Sequence, residues 1–534
     1  MPAKKLRILL PLWLLAFAGL PAAQTAQGTR PATRPAEPVN LLQGSTWLYS
    51  TDGGKTFSKD PPVAPAGKSV SFIARAEFDA AEPSQYVVLE FTPNLPPALK
   101  ATFTLNDQEI KGPLAGMSYR TIPAIGARML NRGRNVLAAA ITAPSVGTRR
   151  GKPRDAALSL NVSLAGLRAG HLKIQTGPIL GAFGKDYFTV TCRTNMPAQV
   201  TLNCAQITDS ATHEGRVLLL ATSQTGLVHR FLVRDPPTTI RVHTGFFLGA
   251  RVGDHFVTAR IDPPEALAKK VRFVAMGDSR SNPEDWAEVA QAVFKQRPNW
   301  VVFTGDMVSR GSDDSLWDTE FFGQAKDLFE SVPFYPVVGN HEGNAPVIDA
   351  FFYTPTSDGR GRNWAQTLGP VLLIGVDGRQ DWPAGRENAT WLEKTLAESK
   401  AKFIFLADHY PAWGSGPHAA PGKDGQPRER SVRQGREVIL PLLEKYKATA
   451  FLAGHDHCYE RSQPPGGVTV IITGGAGAPR YPKLPSAARG NPYSKVFLPQ
   501  LHYCLFEIEG DTCTMKALTP EGEEIDTCRW KARP

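Results

Sequence analysis

Past its N-terminal segment, the 534-residue chain has no apolar run approaching the roughly 20 residues that a membrane-spanning helix needs. Charge of one sign is not in large excess either. With 60 Lys and Arg against 50 Asp and Glu the formal charge is +10, which can draw anionic ligands but is no nucleic-acid signature. Cysteine is sparse, six residues in all. Cys192 and Cys204 are close enough in sequence to bridge a β-hairpin, Cys504, Cys513 and Cys528 crowd the C-terminus, and Cys458 is expected to be a packed thiol.

The first segment is of a different kind. MPAKKLRILLPLWLLAFAGLPAAQTAQ has a basic start, an apolar stretch from Ile8 to Leu20 and small residues around Ala22 to Ala26, the pattern of an export signal over residues 1–26. No cysteine lies near its end to carry a lipid. Its three basic residues, Lys4, Lys5 and Arg7, take the charge to +7 when removed. The mature protein is therefore expected to be secreted, periplasmic or otherwise extracytoplasmic, with no transmembrane segment. A Pro-rich linker, GTRPATRPAEP, follows within residues 27–39.

The length predicts roughly three or four domains. From 40 to 166, runs such as YVVLEF, ATFTLN and NVLAAAIT stand between Gly, Pro and Asn and show little helical periodicity, which predicts a β-sandwich. TFTLNDQEIKG and LNRGRNVLAAAI resemble the galactose-binding-like jelly rolls of exported glycosidases and esterases, and the resemblance implies a carbohydrate partner. From 167 to 268 a second all-β stretch, with DYFTVTCRTN, AQVTLNC and HFVTARIDPP as strands, has fibronectin III-like spacing. Beyond 268, strands alternate with helices, so residues 269–534 read as an α/β domain. SNPEDWAEVAQAVFKQ predicts a helix with Asn282 as cap, Pro283 in the first turn, and Trp286, Val289, Val293 and Phe294 on one face.

Five apolar runs of this last domain end in polar residues of one chemical kind: VRFVAMGDSR (271–280), VVFTGD (301–306), FYPVVGNHE (334–342), KFIFLADHYP (402–411) and TAFLAGHDH (449–457). Ligands bind α/β sheets at the carboxyl ends of strands. A His-x-His pair such as His455 and His457 establishes nothing alone. Together Asp278, Asp306, Asn340, His409, His455 and His457 offer carboxylate, amide and imidazole donors, a mixture suited to zinc, iron or manganese. Six ligands exceed what one ion usually takes, which points to two ions sharing a carboxylate.

The ordered set GD, GD, GNHE, H and GHxH resembles the calcineurin-like metallophosphoesterases, and with TGPILG in the preceding β-domain it looks most like their purple acid phosphatase branch. The resemblance covers about residues 168–534 and implies a β-sandwich flanked by helices. It assigns Asp278 and His457 to the first metal and Asn340, His409 and His455 to the second, with Asp306 between them. It also implies His341 as proton donor to the leaving group, Glu342 orienting His341 from behind, and attack on phosphorus by hydroxide formed between the metals. The expected protein is an exported phosphatase for phosphorylated small molecules, monoesters ahead of diesters. Alternatives are a cyclic-nucleotide or nuclease-type phosphodiesterase, or a non-catalytic surface glycan-binding protein.

Two departures stand out. Where the purple branch has a tyrosine in GDxxY, this chain has GDMVS with Ser309, so no purple colour is expected. Where the wider superfamily often has DxH, Asp278 is followed by Arg280, a candidate to hold a phosphate oxygen. Tyr459, Arg461, His418 and Arg480 read as structural or loop residues ahead of cleft residues. Asp408 and Asp456 are expected to point away from the metals, and GGAGA (474–478) to give close backbone passage.

Overall fold

The computed structural model describes residues 39–534 apart from short segments, the longest being 92–99, 112–120, 144–155, 208–214 and 353–361. The expected export signal and nearly all of the Pro-rich linker lie outside the described residues. Among the described residues no helix is long and apolar enough to cross a membrane.

The strands Val70–Ala80 and Gly133–Ala143 bury alternate side chains, the period that packs one face of a pleated strand. They pair antiparallel inside a five-stranded sheet with Trp47–Ser50, Lys100–Leu105 and Gln108–Ile110. Val39–Asn40, Val162–Leu167, Tyr86–Phe91 and Thr121–Ile125 make a four-stranded sheet. Phe72, Phe78, Leu105, Leu137, Ile141 and Leu164 form a separate core for these sheets.

The next sheet is organised by one 20-residue strand, Phe188–Ile207. Its first half pairs with Ile174–Phe183 and Gly226–Val233, its second half with Gly215–Thr222 and Thr239–Leu248. The expected hairpin between Cys192 and Cys204 is therefore absent. Both cysteines lie on the same strand, opposite His229 and Val242 respectively. Pro197, which lacks an N–H, sits where the register shifts between Arg193 and Ala198, a position that tolerates proline. Cys504, Cys513 and Cys528 occupy three successive strands opposite Ala517, Trp530 and Met515, and all six cysteines are free thiols. Cys458 is buried, as expected of a packed thiol.

The described residues of 269–534 form two sheets. One has the order Phe334–Pro336, Trp300–Phe303, Lys270–Met276, Tyr503–Glu509, Thr512–Leu518, Glu524–Lys531, with the first three strands parallel. The other has the order Trp364–Leu368, Val371–Gly375, Phe403–Ala407, Ala450–Ala453, Thr469–Thr473, Tyr459–Ser462, Ser494–Leu498, with a parallel centre. The parallel strands are buried at almost every position, as expected of strands covered on both faces. Phe273, Phe405, Phe506, Leu452 and Ile471 join the sheets in one core, with the Phe273 and Phe405 rings 5.1 Å apart edge to face.

Helices cover the outer faces. Pro283–Lys295 buries Trp286, Val289 and Val293 against Val274, Met276 and Phe303, with Phe294 partly buried. Asn282 precedes this helix but makes no capping bond; its amide donates to the Gly477 carbonyl instead. Glu387–Glu398 covers the other sheet through Leu392 and Leu396. A buried ion pair, Arg193 with Asp314 (3.0 Å through Nη1), joins the preceding β-structure to the helical layer.

Candidate metal centre

The six candidate ligands follow the carboxyl ends of five parallel strands drawn from two sheets. Asp278, Asp306 and Asn340 come after Lys270–Met276, Trp300–Phe303 and Phe334–Pro336; His409, His455 and His457 come after Phe403–Ala407 and Ala450–Ala453. Each apolar strand stops where the chain turns sharply. Asp278, Asp306 and His455 have φ of 61°, 55° and 70°, a left-handed conformation rare outside glycine that concentrates at functional sites. Two glycines permit the approach. A Cβ on Gly339 would lie 2.2 Å from Asp306 Oδ1, and one on Gly454 would lie 2.2 Å from Asp278 Oδ2.

Four donors surround one point. His409 Nε2 is 3.0 Å from Asn340 Oδ1, 3.1 Å from His455 Nδ1 and 3.4 Å from Asp306 Oδ1. Ligands bonded at about 2.1 Å lie about 3.0 Å apart in octahedral and about 3.4 Å apart in tetrahedral arrangement, so this spacing fits a single transition ion. Beside it, Asp278, Asp306 and His457 bring ligand atoms within 4.8 Å of one another, with His457 Nε2 3.5 Å from Asp278 Oδ1. Asp306 belongs to both groups: Oδ1 lies near His409, the carboxylate lies with Asp278 and His457, and Oδ2 meets Arg280.

The protonation chemistry suits cations. His409 Nδ1 donates to the Thr304 carbonyl and His457 Nδ1 to the Pro479 carbonyl, which leaves both Nε2 lone pairs facing inward. Burial lowers the His409 imidazole to about 4 and the His457 imidazole to about 3, so both are neutral ligands at ordinary pH. Asp278 is fully buried, and desolvation followed by repulsion from Asp306 raises its carboxyl well above the usual range. Paired buried carboxylates of this kind call for positive charge.

His341 is part exposed, with Nδ1 2.7 Å from the Ser309 carbonyl and Nε2 3.8 Å from Asp306 Oδ2. Glu342 does something other than expected. Its buried carboxylate accepts from the backbone N–H groups of Asp306, Met307, Val308 and Gly339, so it fixes the loop that carries Asp306, while the Ser309 carbonyl orients the His341 ring. Arg280 enters the centre, with Nε 3.3 Å from Asp306 Oδ2 and Nη2 3.4 Å from His457 Nε2. Ser309 turns away to Glu320, its hydroxyl donating at 2.9 Å.

Tyr459 and Arg461 are both bound to Asp526, and Arg480 to Asp285, which gives them structural roles. Asp408 and Asp456 accept from backbone N–H groups of Gly378 and His418. The 474–478 stretch runs against the first loop, with Ala476 and Ala478 donating to the Gly277 and Asp278 carbonyls. His418 is the exception among the residues read as structural: its ring lies 3.8 Å from that of His455. Two residues had no signal in the sequence. Glu429 joins His418 to His455, and Tyr481 stacks on His457 at 4.0 Å and 14°.

The model of the calcineurin-like phosphoesterase family matches residues 271–459. Tartrate-resistant acid phosphatase type 5 of Sus scrofa is 34% identical over 270 residues, which span 41% of this chain and 73% of that protein. A probable glycerophosphodiester phosphodiesterase of Arcobacter nitrofigilis is 30% identical over 173 residues, 31% of this chain and 58% of that protein. Among solved structures, a purple acid phosphatase from yellow lupin (Lupinus luteus) seeds superposes with a TM-score of 0.59 at 14% identity, over 87% of this chain and 93% of that one.

Proposed function

The chain belongs to the calcineurin-like phosphoesterase family and is a metal-dependent phosphoester hydrolase of acid-phosphatase type; from that premise we propose that it is exported and hydrolyses phosphate monoesters of small molecules. The longer and closer match to an acid phosphatase than to a diesterase carries the monoester reading.

Asp278, Asp306 and His457 would hold one ion of iron, zinc or manganese and Asp306, Asn340, His409 and His455 a second, and such a pair, when bound, would supply Lewis acidity for a water nucleophile and positive charge for the phosphoryl group. The chain's own groups do the rest. Thr304 and Pro479 keep the ligand imidazoles turned inward. Arg280 binds a phosphoryl oxygen and offsets the negative charge that builds up as the nucleophile adds. The ester P–O bond breaks with its electron pair on the alcohol oxygen, which takes the proton from His341 Nε2. The Ser309 carbonyl accepts from Nδ1 on the other side of that ring, and Asp306 Oδ2 lies 3.8 Å from Nε2.

Diester hydrolysis is the second reading, favoured by the likeness to the Arcobacter protein. A glycan-binding role without catalysis would require a degenerate donor set, whereas all six donors are present and converge. The test is a panel of phosphomonoesters and diesters assayed alongside metal analysis of the same preparation, with cell fractionation for export. Faster turnover of diesters would favour the second reading. Less than one ion per chain with no hydrolysis would end both.

A further inference from the structure

Glu429 stands between a short turn at Pro417–Ala419 and the helical segment Arg430–Gln434. One carboxylate oxygen is 2.7 Å from His455 Nε2 and the other 2.6 Å from His418 Nδ1. The three side chains could in principle hold a cation of their own, since their ligand atoms lie within 4.8 Å of one another. That use would engage both nitrogens of His455, because Nδ1 already faces His409 at 3.1 Å. A neutral imidazole has only one lone-pair nitrogen, so bridging two ions would require it to lose its remaining ring proton.

We propose instead that Glu429 is a positioning residue for the metal centre. It accepts the Nε2–H of His455, fixes the tautomer that turns the Nδ1 lone pair to the second ion, and ties His418 beside it. This rests on the metal centre of the proposed phosphoesterase. The contrast with the other ligand imidazoles carries the inference. His409 and His457 are oriented by backbone carbonyls, whereas His455 is oriented by a charged side chain from a separate loop. A carboxylate partner raises the basicity of a ligating imidazole, and loss of such a partner typically weakens metal affinity by about 10–100-fold. Glu429 is thus the point where one substitution on a loop outside the ligand motifs sets the strength of the second site.

The test uses chelator-stripped full-length protein titrated with Zn²⁺ alone against a chromophoric chelator, for the wild type, Glu429→Gln and Glu429→Ala. Affinity for one of two equivalents should fall about 10–100-fold in the alanine variant and by less in the glutamine variant, whose amide oxygen still accepts the Nε2–H without charge. The other equivalent should hold, and the metal-free unfolding midpoint of Glu429→Gln should match the wild type. With Co²⁺ in place of Zn²⁺, the visible spectrum of the weakened site should shift. Unchanged affinity for both equivalents overturns the proposal. So does a wild type that takes three ions and a glutamine variant that takes two, which would mark a separate cation site. Substrate is absent throughout, so a loaded wild type that hydrolyses no ester would defeat the phosphoesterase reading and leave this result standing. A wild type that binds no ion defeats both.

Discussion

The Arg280 guanidinium lies against Asp306, with its Nε 3.3 Å from Oδ2 of the carboxylate that faces both metal positions. A fixed positive charge there is placed to meet a phosphoryl oxygen. Charge-assisted hydrogen bonds contribute about 1.5–3 kcal/mol. Arg280→Gln should therefore raise KM or lower kcat/KM for phosphate esters by about 10–100-fold, and weaken inhibition by inorganic phosphate in parallel. Unaltered phosphate inhibition would count against the assignment.

Asp306→Ala and His455→Ala should abolish turnover while preserving the circular dichroism spectrum. Both side chains converge on the centre, and the β-structure of residues 39–167 has a core of its own. Metal analysis should show less than two ions in each variant. Near-normal activity in Asp306→Ala would sink the dinuclear reading.

Replacement of His341 by alanine should lower kcat by about 10²–10⁴-fold, the usual contribution of a positioned acid, with little loss of metal. Substrates with very acidic leaving groups need less protonation and should suffer less. An equal loss on good and poor leaving groups argues against the acid role.

Colour and metal preference follow from Ser309, which is bound to Glu320 and turned from the centre. The phenol at the centre, Tyr481, lies flat on His457 at 4.0 Å. Its hydroxyl is hydrogen-bonded to the Arg280 side chain. Ser309 supplies no anionic oxygen ligand, and Arg280 adds positive charge. The isolated protein should show no visible tyrosinate band, and the chelator-stripped protein should regain activity with Zn²⁺ or Mn²⁺ alone, best nearer neutral pH than a purple acid phosphatase. A purple preparation that requires ferric iron would reverse the assignment.

The Arg193–Asp314 pair gives a stability prediction. Both side chains are almost fully buried, and removing one partner of such a pair leaves an uncompensated charge that costs about 3–5 kcal/mol. Arg193→Ala should shift the denaturant midpoint accordingly, and the double variant Arg193→Met, Asp314→Leu should recover most of the loss.

The six donors were legible in the sequence because each follows an apolar run, and a buried strand must end where polar groups can be satisfied. The same logic exposed the helix at Pro283–Lys295, whose apolar spacing matches its buried face. Tertiary structure decided what spacing alone does not encode. DYFTVTCRTN and AQVTLNC read as two strands, yet one strand, Phe188–Ile207, runs through both, because Pro197, which has no N–H to pair, falls where the register shifts. Glu342 serves the Asp306 loop because the backbone N–H groups of Asp306, Met307 and Val308, distant in sequence, join that of nearby Gly339 around it. Glu429 lies in no motif and acquires its place when the loop bearing it folds against His455. The order of donors along the chain is a local property of strands and their ends. Which nitrogen faces an ion, and which carboxylate holds its other side, depends on how the two sheets meet.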